Sequence, residues 1–241
     1  MILPPHPRPT LSDITCVLFD MDGTLLDSAP GVTSSAAQAL AAVGAPVPAQ
    51  DALRRFVGPP MIESFRTVAG LDEATAQQAL HHYRKAYADH GAEQSSLYDG
   101  IPELLGVLQS AGIPMAVATS KVEDQAVRLA RRFGLESHFS SVCGASDSEG
   151  RATKADVIAE VLLRLRALGV DVSNPAMVGD RSHDVAGAAG HGIATIFVSW
   201  GYGDAQEASA AAAVASSPAA LLPMILERSW RRPVYPACPS R

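Results

Sequence analysis

VLFDMDGTLLDS, residues 17–28, runs from three apolar residues into Asp20, shows a second acid at Asp22, and meets glycine at once at Gly23. A short unbroken apolar run reads as a strand buried on both faces, as in a parallel sheet. Residues two apart in an extended segment point the same way, so Asp20 and Asp22 share one site, and Gly23 lets the backbone turn away just beyond them. Carboxylates this close repel each other. A bound cation, or a proton kept on one of them, relieves the repulsion.

Working outward, further apolar runs read as parallel strands: ITCVLF (14–19), IPMAVA (113–118), FSSVCG (139–144), PAMVG (175–179), ATIFVSW (194–200) and AAVAS (212–216). Helical patterns lie between them. VEDQAVRLARRFG stops at Gly134, KADVIAEVLLRLRALG stops at Gly169, and PAALLPMILERS follows the last weak strand. Alternation of strand and helix predicts an α/β protein with a Rossmann-like parallel sheet between two helical layers. Residues 29–96 break the rhythm with helical patterns only, which predicts a helical cap inserted after the first strand. The expected division is an α/β core of residues 13–28 and 97–228, a cap of 29–96, and disordered ends at 1–12 and 229–241, where proline and arginine accumulate without a packing period.

The composition, 47% hydrophobic and 18% charged over 241 residues, suffices for a substantial core. A net charge of -6 provides no general attraction for nucleic acid or an anionic membrane, so an anionic substrate must be held by local positive groups. Cys16, Cys143 and Cys238 have no metal-ligand spacing, and an odd number without a secretory signal reads as free thiols in a reducing compartment. The expected location is the cytoplasm. The longest small-residue stretch, ASAAAAVASS, is too short and too weakly apolar to span a bilayer.

In open α/β sheets ligands bind beyond the carboxyl ends of the strands. Asp20 and Asp22, Thr119 and Ser120, Lys154, and Asp180 all fall at or near such ends, and Asp184 in GDRSHD adds another acid. Crowded carboxylates favour a hard, oxygen-seeking cation such as Mg²⁺, which takes one or two carboxylates plus a substrate phosphate. A phosphoryl group in turn needs positive charge and hydrogen-bond donors around its oxygens, which Lys154 and Thr119 can supply. SKVE (120–123) and TKAD (153–156) fit helix capping boxes, which would bring helix N-termini to the strand ends. Only three residues are lysine, and two of them, Lys121 and Lys154, lie in these boxes.

DMDGTLLDS, VATSK, the lysine of RATKADVI and MVGDRSHDVAGA together resemble the four successive motifs of the haloacid dehalogenase superfamily, in the phosphatase branch with a helical cap after the first strand. The resemblance covers residues 14–228. VGPPMIESF, LYDGIPELL and GDRSHDVAGAAGHGIATIFVSWGYG are similar to phosphoglycolate phosphatase-like and nucleotidase-like members, with departures at Val122 and Asp99, where many relatives have proline. The resemblance implies Asp20 as the nucleophile forming an aspartyl-phosphate and Asp22 as general acid and then base. It implies Mg²⁺ held by Asp20, Asp180 and the Asp22 carbonyl, with Asp184 orienting the site, and Thr119 and Lys154 on the phosphoryl oxygens. Gly23, Ser120 and Lys121 are candidate phosphate contacts, and Arg54 and Gly58 candidate substrate contacts from the cap.

Simpler roles compete for several of these residues. Thr119, Ser120 and Asp184 would also serve as helix-end groups. Arg54, Arg55, Arg66 and Ser64 of the cap would also serve as ordinary surface or pairing groups. His183 reads as exposed, and His81, His82 and His90 as a solvated helix face. The leading expectation is a Mg²⁺-dependent phosphatase acting on a small phosphorylated metabolite: phosphoglycolate, a nucleotide, a sugar phosphate or a biosynthetic intermediate. No nucleic-acid polymer or membrane is expected as a partner, and a monomer is compatible with the chain. A β-phosphoglucomutase-like mutase and a non-catalytic module that binds or accepts phosphate are the alternatives. Phosphonate hydrolysis would need a well-placed cap lysine where only Lys85 is offered, and Asp22 argues against haloacid chemistry.

Overall fold

The computed structural model describes residues 11, 13–146 and 148–229. In chain order it contains β1 (Cys16–Phe19), β2 (Leu26–Asp27), α1 (Ala29–Ala42), α2 (Gln50–Leu53), α3 (Met61–Thr67), α4 (Glu73–Asp89), β3 (Ser96–Leu97), α5 (Ile101–Ser110), β4 (Met115–Val122) and α6 (Glu123–Arg132). Then follow β5 (Ser141–Ala145), α7 (Lys154–Ala167), β6 (Pro175–Gly179), α8 (Ser182–Ala189), β7 (Ala194–Val198), β8 (Ala213–Ala215) and α9 (Pro218–Ser229).

Six strands form one parallel sheet in the order β5-β4-β1-β6-β7-β8. All six runs read as strands from the sequence lie in it. Because successive strand side chains point to opposite faces, β1 divides itself between two cores: Val17 and Phe19 face α5, α6 and α9, whereas Cys16 and Leu18 face α7 and α8. Residues 115–118 and 176–178 alternate in the same way. The result is a three-layer α/β/α arrangement.

From β1 the chain builds the sheet outward through β4 and β5, then returns to place β6 on the other side of β1. The order of construction therefore reverses between β1 and β6, the kind of position where open α/β sheets form their ligand crevice. Asp20 follows β1 and its backbone N–H donates to the Val178 carbonyl of β6 at 2.9 Å; Asp180 follows β6 directly. Both acids thus stand at the reversal.

Helices α1 to α4 bury a cluster of their own, including Val32, Leu40, Phe56, Phe65, Tyr83 and Tyr87. Two short strands, β2 on the way in and β3 on the way out, pair antiparallel at its base. Ser96, expected to be helical, lies in β3. Of the ends expected to be disordered, Leu11 is buried in the core and Ser229 closes α9. Residues 1–10, 12 and 230–241, with Cys238, lie outside the described residues. Cys16 and Cys143 are buried free thiols, and burial pushes both up to about 12.

One local expectation fails. Residues 120–122 remain in β4, and α6 begins only at Glu123 with no side-chain cap at Val122. Val122 pairs with Ala145 of β5 beyond a shift in register, so sheet pairing keeps SKV extended and overrides the capping box. The TKAD box does form: Asp156 N donates to Thr153 Oγ1 at 3.2 Å, and Thr153 N donates to Asp156 Oδ2 at 2.9 Å.

Candidate active site

The turn after β1 explains the crowding of the acids. Leu25 and Leu26 both donate to the Met21 carbonyl at 2.9 Å, and Gly23 donates to the Leu26 carbonyl at 2.8 Å, so the chain folds back on itself within six residues. Gly23 has φ +81, and a Cβ there would stand 2.2 Å from Asp180 Oδ2. At Gly201 a Cβ would meet the same oxygen at 2.4 Å, and at Gly179 it would meet Asp184 at 2.4 Å. Three glycines thus leave the space into which two carboxylates fit.

Asp20, Asp180 and Asp184 each bring a carboxylate oxygen to within 4.8 Å of the others, all buried. Lys154, the first residue of α7, reaches Asp20 Oδ1 and Asp184 Oδ1 at 2.8 Å each and donates to the Ala118 carbonyl at 3.0 Å. The ammonium is therefore shared between two carboxylates, as ion pairs, and one main-chain carbonyl. Burial opposes the charge on Lys154, but Asp184 and Asp20 hold the ammonium above the ordinary lysine range. Burial likewise pushes Asp20 up to about 6 against the pull of Lys154, with Asp184 and Asp22 adding to the rise. Asp180 is raised well above the usual carboxylate value by burial, then by Asp184 and Asp20, although the Tyr202 N–H donates to it at 2.7 Å.

With all three ionised, the carboxylates against one ammonium would leave two negative charges unbalanced, which is part of why Asp20 and Asp180 are raised. At about 4 Å and an effective dielectric near 20, each like-charge contact costs about 4 kcal/mol. The donor set is purely oxygen and already deficient in positive charge, which fits a divalent cation such as Mg²⁺.

Asp22 lies outside this cluster. Its Oδ2 stands 3.1 Å from Lys121 Nζ, while its Oδ1 accepts no hydrogen bond among the described residues. Lys121 is therefore an ion-pair partner of Asp22 rather than a helix-opening residue. Thr119 is buried, its hydroxyl accepting from the Lys121 N–H at 3.3 Å. Ser120 Oγ is buried without a hydrogen bond among the described residues. Asp184 accepts from the Arg181 backbone N–H at 3.0 Å, joining a helix-end role to its place in the cluster.

Asp22, Ser120 and Lys121 form one wall of a cavity of about 400 Å³. The opposite wall comes from the helical region, with Phe56, Gly58, Met61, Leu80 and Tyr83. Arg54 and Arg55 are exposed and do not line it, whereas Arg66 and Arg151 do. Ser64 is buried away from it. His183 is half-buried rather than exposed, and His81, His82 and His90 are exposed.

Several site residues receive no role from the sequence motifs, although they lie within or beside them. Tyr202 donates through its hydroxyl to Asp27 Oδ1 at 2.7 Å and accepts from the Ser28 and Ala29 N–H groups, at 2.8 and 3.0 Å, so it ties Asp180 to the start of the helical region. Arg181 is held by Glu207 at 3.1 Å and donates to the Val57 carbonyl. Thr24 Oγ1 donates to Asp180 Oδ1 at 3.3 Å. The pair of glycines in GYG (201–203) is the one local signal, since both approach Asp180 too closely for a side chain.

The family model described as haloacid dehalogenase-like hydrolase matches residues 17–198. The chain is 51% identical over 189 residues to the tyrosine-protein kinase PtkA of Mycobacterium tuberculosis, covering 78% of this chain and 63% of that protein. It thus spans less than two thirds of these mycobacterial relatives. It is 38% identical to a 5'-nucleotidase of Pseudomonas aeruginosa, covering 79% and 85% of the two chains, and 33% identical to a phosphoglycolate phosphatase of Chromobacterium violaceum, covering 81% and 89%. Among solved structures, a phosphatase predicted from Clostridium acetobutylicum aligns with a TM-score of 0.83 at 35% identity, covering 90% of this chain and 100% of the other.

Proposed function

Because the chain belongs to the haloacid dehalogenase-like hydrolases, we propose that it is a Mg²⁺-dependent phosphatase in which Asp20 attacks a phosphoric monoester. The observation that carries this reading is the buried cluster of Asp20, Asp180 and Asp184 around Lys154, beside a cavity that opens on Asp22. Its core is residues 13–28 and 97–228, and residues 29–96 act as the cap that excludes bulk water.

An Asp20 carboxylate oxygen bonds to phosphorus as the ester P–O bond breaks, and Asp22 gives its proton to the departing oxygen. Asp22 then takes a proton from a water that attacks the aspartyl-phosphate, which releases inorganic phosphate and frees Asp20. Lys154 steadies Asp20 and stands beside the charge that gathers on the phosphoryl oxygens; the Thr119 and Ser120 hydroxyls offer donors there, whereas the Gly23 N–H is already given to the Leu26 carbonyl. Mg²⁺, held by Asp20, Asp180 and the Asp22 carbonyl with Asp184 orienting it, would neutralise charge between nucleophile and phosphate. A composite site is required by magnitude. Phosphate monoester hydrolysis is accelerated by up to about 10²¹, and a general acid supplies only about 10² to 10⁴ of it.

The cavity is large for the two-carbon leaving group of phosphoglycolate, since volumes of about 300–1,000 Å³ suit larger ligands. Its apolar wall favours a leaving group of nucleoside or sugar size, in keeping with the nucleotidase relative. The first test is turnover of p-nitrophenyl phosphate with Mg²⁺, which chelator abolishes and Asp20→Asn reduces by about 10³ or more; a single-turnover rate of Asp20→Asn within tenfold of wild type refutes the role of Asp20. A phosphorylated-metabolite panel ranked by kcat/KM then identifies the substrate.

A second reading follows from the relative named a tyrosine-protein kinase: an acceptor other than water takes the phosphoryl group. Transfer of labelled phosphate from ATP to a tyrosine peptide, at a rate exceeding release of inorganic phosphate, would favour it.

A further inference from the structure

Lys121 is a buried lysine between two partners from different parts of the chain. On one side is Asp22, 3.1 Å away; on the other is Tyr87 of α4, whose hydroxyl oxygen accepts from Lys121 Nζ at 2.9 Å. The ammonium also lies 4.3 Å from the centroid of the Tyr87 ring. All three residues are at most 8% exposed. Burial disfavours the ammonium, but Asp22, then Tyr87 and Tyr83, keep it charged.

We propose that Tyr87 is a positioning residue for the acid–base carboxylate: it holds Lys121, which sets the direction of Asp22, so that the acid–base step depends on how α4 is seated. The proposal rests on the phosphatase reading of the site. A buried ammonium needs its donors satisfied. Without the Tyr87 hydroxyl, Lys121 seeks another acceptor and carries Asp22 with it, since a charge-assisted pair in a dry site moves together. Tyr87 itself is anchored independently, stacked on Tyr83 with ring centroids 5.6 Å apart and fully buried in the cluster of the helical region. The link thus runs from a fixed ring to the group that must meet the leaving oxygen.

The test uses leaving groups. A p-nitrophenyl ester departs without much help from an acid, whereas an alkyl ester such as glycerol 2-phosphate needs its oxygen protonated as the P–O bond breaks. In the full chain with Mg²⁺, Tyr87→Phe is expected to lower kcat/KM for glycerol 2-phosphate by about tenfold or more. The p-nitrophenyl ester should lose less than about threefold, and the Tm should stay within about 2 °C because the ring remains. Lys121→Met, which also alters the cavity wall, should lower turnover of both esters but that of glycerol 2-phosphate more, and on glycerol 2-phosphate the double variant should lose no more than the larger single loss. Equal losses on both esters, no loss on either, or additive losses in the double variant overturn the proposal. If the wild type turns over neither ester, the phosphatase reading itself falls and takes this one with it. That outcome is separate from turnover by the wild type with no selectivity in Tyr87→Phe.

Discussion

At residue 23 a methyl group would land on a carboxylate. Gly23 combines φ +81 with a Cβ position 2.2 Å from Asp180, so neither the backbone nor the neighbour tolerates alanine. Gly23→Ala is expected to cost about 1–3 kcal/mol of stability and, by displacing Asp180, to lower turnover about a hundredfold or more; thermal unfolding and steady-state rates measure the two effects. The need for glycine was legible in DMDGT as a turn, but its neighbour was not, because Asp180 lies 157 positions further along the chain. Arg54 shows the same limit. Read as a substrate contact from its place in RRFVGPP, it is exposed, and the arginines on the cavity come instead from α3, from α4 and from the loop before α7.

Among the elements, the two expected capping boxes had opposite outcomes. At α7 the Thr153–Asp156 box closes and delivers Lys154 to the acid cluster from the first helical position. Thr153→Ala should cost about 1 kcal/mol and reduce turnover several-fold, with Thr153→Ser restoring most of both; unfolding midpoints and rates of the three proteins check this. At α6 the corresponding signal is overruled by the Val122–Ala145 pairing. Glu123 is left to accept from Gly144 N–H at 3.1 Å and to pair with Arg151 at 2.8 Å and Arg164 at 3.1 Å. A local motif specifies hydrogen bonds within four residues, and a strand partner from elsewhere replaces it when pairing satisfies more backbone groups.

For the molecule as a whole, the acid cluster links stability to pH, and under the proposed function it would link both to Mg²⁺. Asp20 and Asp180 are raised by burial above their unfolded values. A carboxyl raised on folding adds stability below its unfolded pKa, near 4, and loses that contribution as pH climbs through the folded value, about 6 for Asp20. The metal-free protein should therefore lose stability between pH 4 and 7, and Mg²⁺ at about 100 times its Kd should return about 2.7 kcal/mol at pH 7.5 and much less at pH 5. Asp180→Asn is expected to raise the metal-free Tm at pH 7.5 and to abolish the gain from Mg²⁺. Thermal unfolding of both proteins across this pH range, with and without Mg²⁺, tests the sign of each effect. No helix among the described residues is long and apolar enough to cross a membrane.

At this same scale the division between sequence and tertiary structure is clear. Apolar runs and their terminal acids were sufficient to read the parallel sheet, the helical insertion and the gathering of Asp20, Asp180, Asp184 and Lys154 at the strand ends. Those features follow from backbone periodicity and from the rule that parallel strands end on one side of the sheet. Only the folded chain decided that Lys121 faces Asp22, that Tyr87 holds Lys121, and that Tyr202 joins Asp180 to Asp27. These contacts span 34 to 175 positions in the two tyrosine hydroxyl bonds, and such distances are closed by packing of whole elements, about which a local pattern carries no information.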